Sequence, residues 1–369
     1  MRKTLVLSLI LILAFFSCEN SSQKEMPVLE LSDLVSDTLY LEKSPLTKEL
    51  GYDFSYFEGD KEAQVLKTFI AETLYEYSFP EGRLLRTQKY ESEGPDGIGA
   101  FVQAFFIEED VIWFISNLEL IKADLFGKVL QRRELPEAEE SRQSANYSTR
   151  MGANMYRDGA TLLIPDVPFV LNETVIQYED WILKYDTDFS TYSYLSFTWP
   201  KEYQGLLNDA NFSRYRNSYS PDTKEMLISL PASDSLLVIG KGGNFKVFAG
   251  VSEPMNFLKG EVTQEGEWIV FNSNNNTSQY GGIFWAEQEE VYLRMVEVIR
   301  DTEQNRDDGL FPLTKMVVLD KSLVKIGEVI MPFATGGFNT PSGFYLWVGY
   351  PKSEDQVGYV RLDFSKFRD

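Results

Sequence analysis

The stretch Ile112-Trp-Phe-Ile-Ser-Asn-Leu-Glu-Leu-Ile-Lys-Ala-Asp-Leu-Phe-Gly-Lys-Val-Leu130 is the clearest copy of a pattern that recurs in this chain. It reads as a strand, a short turn, a second strand, a turn at Asp124–Gly127 and the start of a third strand. Apolar segments separated by turn residues are typical of antiparallel hairpins. The chain repeats this pattern along its length, and the repetition is the basis of the fold prediction.

The repeated unit is an alternating strand, a turn that holds Asp, Gly or Lys, and a second alternating strand. A further apolar segment and a tight turn precede most copies, as in Ala104–Phe114 and Gly282–Leu293. Each repeat therefore holds about four strands in about 50 residues, which is the size of a β-propeller blade. The copies begin at Leu74, Leu120, Ile182, Leu236, Lys315 and Tyr359.

We therefore predict an all-β protein that forms a single six-bladed β-propeller over residues 28–369. Two flat β-sandwich domains are the competing all-β architecture, and the regular recurrence favours the propeller. The last copy ends after about one strand, and Asp37–Glu42 is a strand pattern without a unit of its own. Pairing of these two segments would close the ring and remove exposed strand edges. The long interval before Lys315 leaves room for a seventh blade around Trp268–Arg300.

The first 27 residues have a different composition from the rest. Met1-Arg2-Lys3, the apolar run Leu5–Phe16 and a small residue at position 17 are the parts of a secretory signal peptide. The run is shorter than the about 20 residues that a membrane-spanning helix needs. Residues 18–27 are polar and without periodicity, so we expect a flexible tether between the membrane and the folded body.

Cys18 is the only cysteine of the chain, and it follows Ser17 directly. This arrangement resembles the lipobox of bacterial lipoproteins. The resemblance implies cleavage after residue 17, a lipid on Cys18 and attachment to the cell envelope, with the outer membrane as the expected site. It leaves open whether the protein faces the periplasm or the cell exterior. The alternative is an uncleaved anchor with a free cysteine.

Charge and missing residue types exclude several classes of function. The net charge of −21 repels phosphate backbones and anionic lipid headgroups, so we expect no nucleic-acid partner and membrane attachment through the lipid. The chain has no histidine, which excludes Ser-His and Cys-His nucleophilic catalysis and His-ligated zinc. A P-loop is absent as well. We therefore expect no cofactor and no bound metal ion.

Two motifs carry a resemblance to a known group of propellers. Tyr219-Ser-Pro-Asp-Thr-Lys-Glu-Met-Leu-Ile-Ser229 is similar to the Ser-Pro-Asp-Gly-Lys motif of TolB-type repeats, with Thr223 in place of Gly. Glu93-Gly-Pro-Asp-Gly97 resembles the entry turn of related six-bladed repeats. With the lipobox, they make the chain resemble bacterial lipoproteins with a TolB-like six-bladed propeller. The resemblance implies a fold and an envelope location but no activity, because that group has no agreed one.

Basic side chains beside Asn and aromatic residues are the candidate ligand-binding groups. Ala145–Arg150 and Ala210–Arg216 share an Ala-Asn-aromatic-Ser start followed by Arg. Both segments precede a blade, so we expect them near the propeller axis, where such side chains can grip a carboxylate or a sugar. The alternative is that the arginines pair with acids of neighbouring blades. The candidates are Tyr147, Arg150, Phe212, Arg214, Arg216, Asn272 and Asn339.

These observations predict a lipid-anchored, non-enzymatic module that binds a partner protein or a small polar or anionic ligand at its axial face. The alternative from another class is a glycan-acting hydrolase or lyase that uses carboxylates and Tyr at the same mouth. That alternative requires a buried pair of acids with perturbed pKa values on the axis. A third interpretation is a scaffold whose blade edges carry the contacts.

Overall fold

A computed structural model describes residues 26–45, 50–58, 63–137, 145–149, 152–167, 178–206, 209, 211–266, 268–300, 312–333, 335–348 and 354–368. Six sheets, each built on four antiparallel strands, surround a central axis. The predicted all-β, six-bladed propeller is therefore confirmed. The predicted lipidation site, Cys18, lies outside the described residues.

The strands follow one another from the axis outward in the first three blades. The N-terminal strands β1 (Val28–Glu30) and β2 (Val35–Glu42) belong to the last two blades. Blade 1 contains β3 (Ser55–Glu58), β4 (Gln64–Ile70), β5 (Thr73–Ser78) and β6 (Leu84–Lys89). Blade 2 contains β7 (Ala104–Ile107), β8 (Val111–Ser116), β9 (Glu119–Asp124) and β10 (Val129–Glu134). Blade 3 contains β11 (Tyr156–Asp158), β12 (Thr161–Pro165), β13 (Ile182–Asp186) and β14 (Thr191–Leu195).

The second half repeats the order with one additional hairpin. Blade 4 contains β15 (Arg216–Ser220), β16 (Glu225–Ser229), β17 (Ser235–Gly240) and β18 (Gly243–Phe248). The hairpin consists of β19 (Glu261–Glu265) and β20 (Trp268–Asn272). Blade 5 contains β21 (Gln279–Ala286), β22 (Val291–Val298), β23 (Leu313–Asp320) and β24 (Lys325–Met331). Blade 6 contains β25 (Gly337–Thr340), β26 (Gly343–Trp347), β27 (Gln356–Leu362) and β2.

The helical elements among the described residues are short 3-10 turns at Leu31–Asp33, Lys201–Tyr203 and Ser365–Phe367. No helix in this part of the chain is long and apolar enough to span a membrane.

The ring closes as the sequence predicts. β2 pairs antiparallel with β27, and Asp37 stands opposite Arg361. Leu39 and Leu41 of β2 are buried in an apolar cluster between blades 6 and 1. The N-terminal segment also makes a contact that the sequence does not predict, because β1 pairs in parallel with the outer strand β24 of blade 5.

No seventh blade forms within the described residues. The interval Trp268–Arg300 contains β20 of the additional hairpin and the first two strands of blade 5. β22 pairs antiparallel with β23, so the apolar segments before Lys315 complete blade 5.

The core consists of six apolar clusters, one at each seam between neighbouring blades. Phe69 of blade 1, for example, packs against Ile112 and Phe114 of blade 2. Because each blade is covered on both faces, central strands are continuous apolar runs rather than strict alternations, as in β8.

Blade 5 contains a buried ionic cluster around Glu328, whose side chain is 2 % exposed. Lys315 Nζ lies 2.6 Å from one carboxylate oxygen, and Lys325 Nζ lies 2.6 Å from the other. The backbone N–H of Ser252, which follows blade 4, donates to the same carboxylate at 2.8 Å. Burial acts to raise the pKa of Glu328, but the hydrogen bonds and charges of the two lysines outweigh it and lower the pKa.

The substitution Glu328→Gln is expected to lower the free energy of unfolding by about 3 kcal/mol at pH 7, because it removes the carboxylate that Lys325 contacts and leaves Lys315 with Glu253 alone. The folded pKa lies below the ordinary value of 4.5, so the carboxylate stabilises the fold above that pH. This contribution is lost as the pH falls through the folded pKa. Urea denaturation at pH 7 and pH 3.5 should show a smaller difference between variant and wild type at the lower pH. An equal difference at both values would contradict this account; Glu134→Gln, at an exposed site, is the control.

Candidate functional site

A cavity of about 570 Å³ runs along the propeller axis. All six innermost strands contribute to its wall, so it is an axial channel rather than a groove on one blade. We call the side on which the chain enters these strands the entry face and the opposite side the exit face. One wall residue from each blade in turn is Tyr56, Phe106, Tyr156, Ser218, Phe284 and Asn339.

Tyr52 and Asp53 lie at the entry end of this cavity, just before β3. The Tyr52 ring packs on Gly336 of blade 6, where a β-carbon would lie 2.5 Å from the ring. It also meets Phe284 of blade 5 edge-on, with ring centroids 6.3 Å apart. Burial and the neighbouring Asp53 raise the pKa of the Tyr52 hydroxyl, and Arg216 acts in the opposite direction. Tyr52 therefore has a negative and a positive group in its neighbourhood.

The carboxylate of Asp53 has no hydrogen bond or ion pair with any described residue. Solvent in the cavity reaches the side chain, yet protein surrounds it on most sides, and this desolvation raises its pKa. A solvent-accessible carboxylate with a raised pKa and no partner among the described residues makes Asp53 the chemically most distinctive group of the wall.

Arg214 and Arg216 lie at the entry face, where the chain leads into β15. The Arg216 guanidinium rests on Gly152, where a β-carbon would lie 2.5 Å from Nε. Gly152 has a φ of +83°, so both its conformation and this contact require glycine. Burial, with a smaller effect of Arg214, lowers the pKa of Arg216 to about 10.

We call Arg214 and Arg216 the arginine pair. Neither forms an ion pair with a described acid, and Nε of Arg214 is buried without a hydrogen-bond partner in this part of the chain. The pair is not part of the cavity wall itself. It lies near Tyr52, which does belong to that wall. Two neighbouring positive charges with no counter-ion among the described residues are therefore found at the entry end of the channel.

The seam between blades 3 and 4 fixes the wall next to the arginine pair. The backbone N–H of Asn154 donates to Asn217 Oδ1 at 2.6 Å, and Asn217 Nδ2 donates to the carbonyl of Asn154 at 3.0 Å. The Tyr156 hydroxyl donates to the carbonyl of Asn217 at 3.0 Å. Burial raises the pKa of Tyr156 to about 12, so this phenol stays protonated and serves as a donor near neutral pH.

The structure separates the other aromatic and basic candidates from this site. Arg150 lies outside the described residues. Tyr147 is buried between blades 2 and 3, and its hydroxyl donates to the carbonyl of Pro136 at 2.9 Å. Phe212 is fully buried in the cluster between blades 3 and 4. Both aromatic residues are therefore part of the core between blades and not of the ligand-binding surface.

The two candidate asparagines lie apart from the arginine pair. Asn339 belongs to the cavity wall towards the exit face, where its Oδ1 accepts from the N–H of Glu287 and its Nδ2 donates to the carbonyl of Trp285. Its amide therefore joins blades 5 and 6. Asn272 ends β20 and is exposed on the additional hairpin, outside the cavity wall.

The carboxylates of the channel are few and far apart. Asp53 lies at the entry end and Glu287 at the exit end of the wall. Nowhere in the described part of the chain do three His, Cys, Asp or Glu side chains stand close enough to hold a metal ion.

Comparison with known proteins identifies the family to which this chain belongs. The family model described as "Domain of unknown function (DUF4221)" matches residues 29–330. The chain belongs to the DUF4221 family. No curated protein matches it.

Two solved structures share the fold of this DUF4221 chain. A DUF4221 member from Bacteroides vulgatus is 14 % identical, with 89 % of this chain and 97 % of that chain covered and a TM-score of 0.67. A Bacteroides fragilis protein named as exported is 10 % identical, with 91 % and 99 % covered and a TM-score of 0.54. Identities this low show a common fold alone. The TolB-like and lipoprotein characters stay predictions.

The sequence analysis does not identify the residues of the axial cavity wall that precede blade 1. Tyr52 and Asp53 occupy the same place before β3 that Arg214 occupies before β15. The signal was available in principle, since every segment before an innermost strand must approach the axis. The position of Tyr52 and Asp53 is missed because the first recognised copy of the repeat begins at Leu74, in the outer strands of blade 1, and the inner strand β3 is not identified.

Proposed function

We propose that this DUF4221 protein is a non-enzymatic binding module that takes a small anionic ligand at the entry end of its axial cavity. The arginine pair carries the proposal, because two guanidinium groups without acid partners among the described residues are unexpected in a chain of net charge −21. Guanidinium groups bind carboxylates through paired, charge-assisted hydrogen bonds. A carboxylate or an acidic sugar fits this chemistry, with Tyr52 as an aromatic wall.

The proposal includes attachment to the cell envelope through a lipid on Cys18. It is supported by the signal-like segment 1–17 and by the position of the single cysteine. The Bacteroides fragilis protein of the same fold is named as exported, which agrees with this location.

The glycan hydrolase alternative receives less support. Glycosidases use two carboxyl groups about 5 to 10 Å apart. In the described wall, Asp53 and Glu287 lie at opposite ends of the channel. A single carboxylate with a raised pKa suits the binding of a positive group or a hydrogen-bond donor better than acid–base catalysis by a pair.

Calorimetric titration of residues 26–369 with glutarate and glucuronate tests the proposal, with glucose as the neutral probe. The anions are expected to bind, and glucose is expected to bind at least about tenfold more weakly. The double substitution Arg214→Ala with Arg216→Ala is expected to weaken anion binding by at least about tenfold, since a charge-assisted hydrogen bond contributes about 1.5–3 kcal/mol.

The matched control is Arg83→Ala with Arg133→Ala, which removes two exposed arginines away from the axis. It should leave anion affinity unchanged while the net charge changes by the same amount. Equal losses in both double variants would assign the binding to net charge and contradict a site at the arginine pair.

A further inference from the structure

A second cavity of about 150 Å³ opens at the entry face between blades 1 and 2. It shares Asp53, Phe105 and Thr149 with the axial cavity, so the two spaces are adjacent and have a common wall. Its other walls include Phe69 at the end of β4 and Glu72 in the β4–β5 turn. We call this space the side pocket.

The side pocket is negative, in contrast to the arginine pair. Asp53 and Glu72 both line it, and neither carboxylate has a hydrogen bond or ion pair with a described residue. Elsewhere in the described chain, acids such as Glu76 form ion pairs, in that case with Arg86. Burial raises the pKa of Asp53, and a cation placed beside it would relieve that cost.

The apolar part of the side pocket is aromatic. The rings of Phe69 and Phe105 lie 5.4 Å apart between centroids, with their planes inclined at 56°. Aromatic faces attract ammonium and guanidinium groups, and the attraction increases where water is excluded. Two carboxylates and two aromatic rings around a small space form a site for one cationic group rather than for a whole ligand.

Tyr52 links the two charged regions. Asp53 raises the pKa of its hydroxyl and Arg216 lowers it, so a negative and a positive group both lie near Tyr52 at the entry end of the channel. A ligand at the entry face therefore meets both signs of charge.

We infer that the side pocket binds the cationic group of a ligand whose anionic group is held by the arginine pair. The ligand class is zwitterionic: a free amino acid, an amino-acid-like metabolite or a short peptide. This inference deepens the proposed function and rests on it for the anionic end, while the cationic end is independent of it.

A series of ω-amino acids from 3-aminopropanoate to 8-aminooctanoate tests the inference by calorimetric titration of residues 26–369. Each is compared with the monocarboxylate and the alkylamine of the same length. One chain length is expected to bind at least about tenfold more tightly than either comparison molecule, because charge-assisted contacts then form at both ends.

The substitutions Asp53→Asn and Glu72→Gln, made together, change the charge of the side pocket with little change in shape. They should remove the advantage of the ω-amino acid over the monocarboxylate without weakening the binding of glutarate. Thermal unfolding of the variant verifies that it is folded, and Glu134→Gln with Glu58→Gln is the control for net charge.

The outcomes separate the two proposals. If glutarate binds through the arginine pair but no ω-amino acid exceeds its monocarboxylate, the side-pocket inference is wrong and the proposed function stands. If alkylamines bind through Asp53 and Glu72 while glutarate does not bind, the side pocket is a cation site and the anionic function is wrong. An advantage that survives the double substitution also overturns the inference.

Discussion

A chain that begins at residue 43 is expected not to form a cooperatively folded propeller. It lacks β2, whose backbone pairs with β27 from Val35 to Glu42. Leu39 and Leu41 would no longer fill the seam between blades 6 and 1, and burial of two leucines contributes about 3–6 kcal/mol. Added to the lost strand pairing, this reaches the about 5–15 kcal/mol that stabilises a typical domain.

Urea denaturation followed by circular dichroism, together with size-exclusion chromatography, measures this effect. A chain that begins at residue 26 should unfold in one sharp transition. A chain that begins at residue 34 lacks β1 but keeps β2, and it should fold with reduced stability. If the chain from residue 43 folds as stably as the chain from residue 34, β2 does not close the ring as the structure indicates.

The substitution Arg294→Met is expected to lower the free energy of unfolding by about 3–5 kcal/mol. Arg294 is 0 % exposed at the seam between blades 4 and 5. Its guanidinium lies over the ring of Tyr280, 4.0 Å from the centroid. It donates to Ser229 Oγ at 3.0 Å and to the carbonyls of Leu230, Ser233 and Ala249 at 3.3, 2.8 and 3.1 Å.

Methionine fills a similar volume but cannot donate, so three carbonyls and the Ser229 hydroxyl would each lose the donor that Arg294 supplies. Urea denaturation of both proteins at pH 7 measures the difference. The same substitution at exposed Arg133 is the control and should change stability by less than about 1 kcal/mol. A loss at Arg294 no larger than at Arg133 would show that the guanidinium does not join the two blades.

The sequence predicts the architecture well because the outer two strands of blades 1 to 5 are local hairpins. The copies that begin at Leu74 and Leu120 correspond to β5–β6 and β9–β10. Closure by Asp37–Glu42 is predictable because each end of the chain has an unpaired strand, and pairing the two strands with each other removes both exposed edges.

Contacts that depend on distant parts of the chain are not predictable in the same way. The pairing of β1 with β24 joins segments about 300 residues apart, and three residues are too few to show a period. Nothing in the sequence distinguishes Arg294 from other basic residues in apolar strands. Its importance follows from its four hydrogen-bond acceptors, which belong to blade 4 and to the loop after it.

The candidate site is predicted in part. Arginines before a blade are expected near the axis, and Arg214 and Arg216 lie at the entry face. The asparagine of β25 is expected at the same mouth, but strand direction places Asn339 towards the exit face. Asp53 carries no pattern of its own, and only its position beside two cavities distinguishes it from the other acids.

We expect the entry end of the axial channel to bind an anion at Arg214 and Arg216. Anomalous diffraction from crystals of residues 26–369 soaked in selenate would locate such an anion. We predict a selenium peak within hydrogen-bonding distance of both guanidinium groups, and no such peak when both arginines are replaced by alanine. Wild-type crystals without a peak at this position, or a peak that survives the double substitution, would contradict the account.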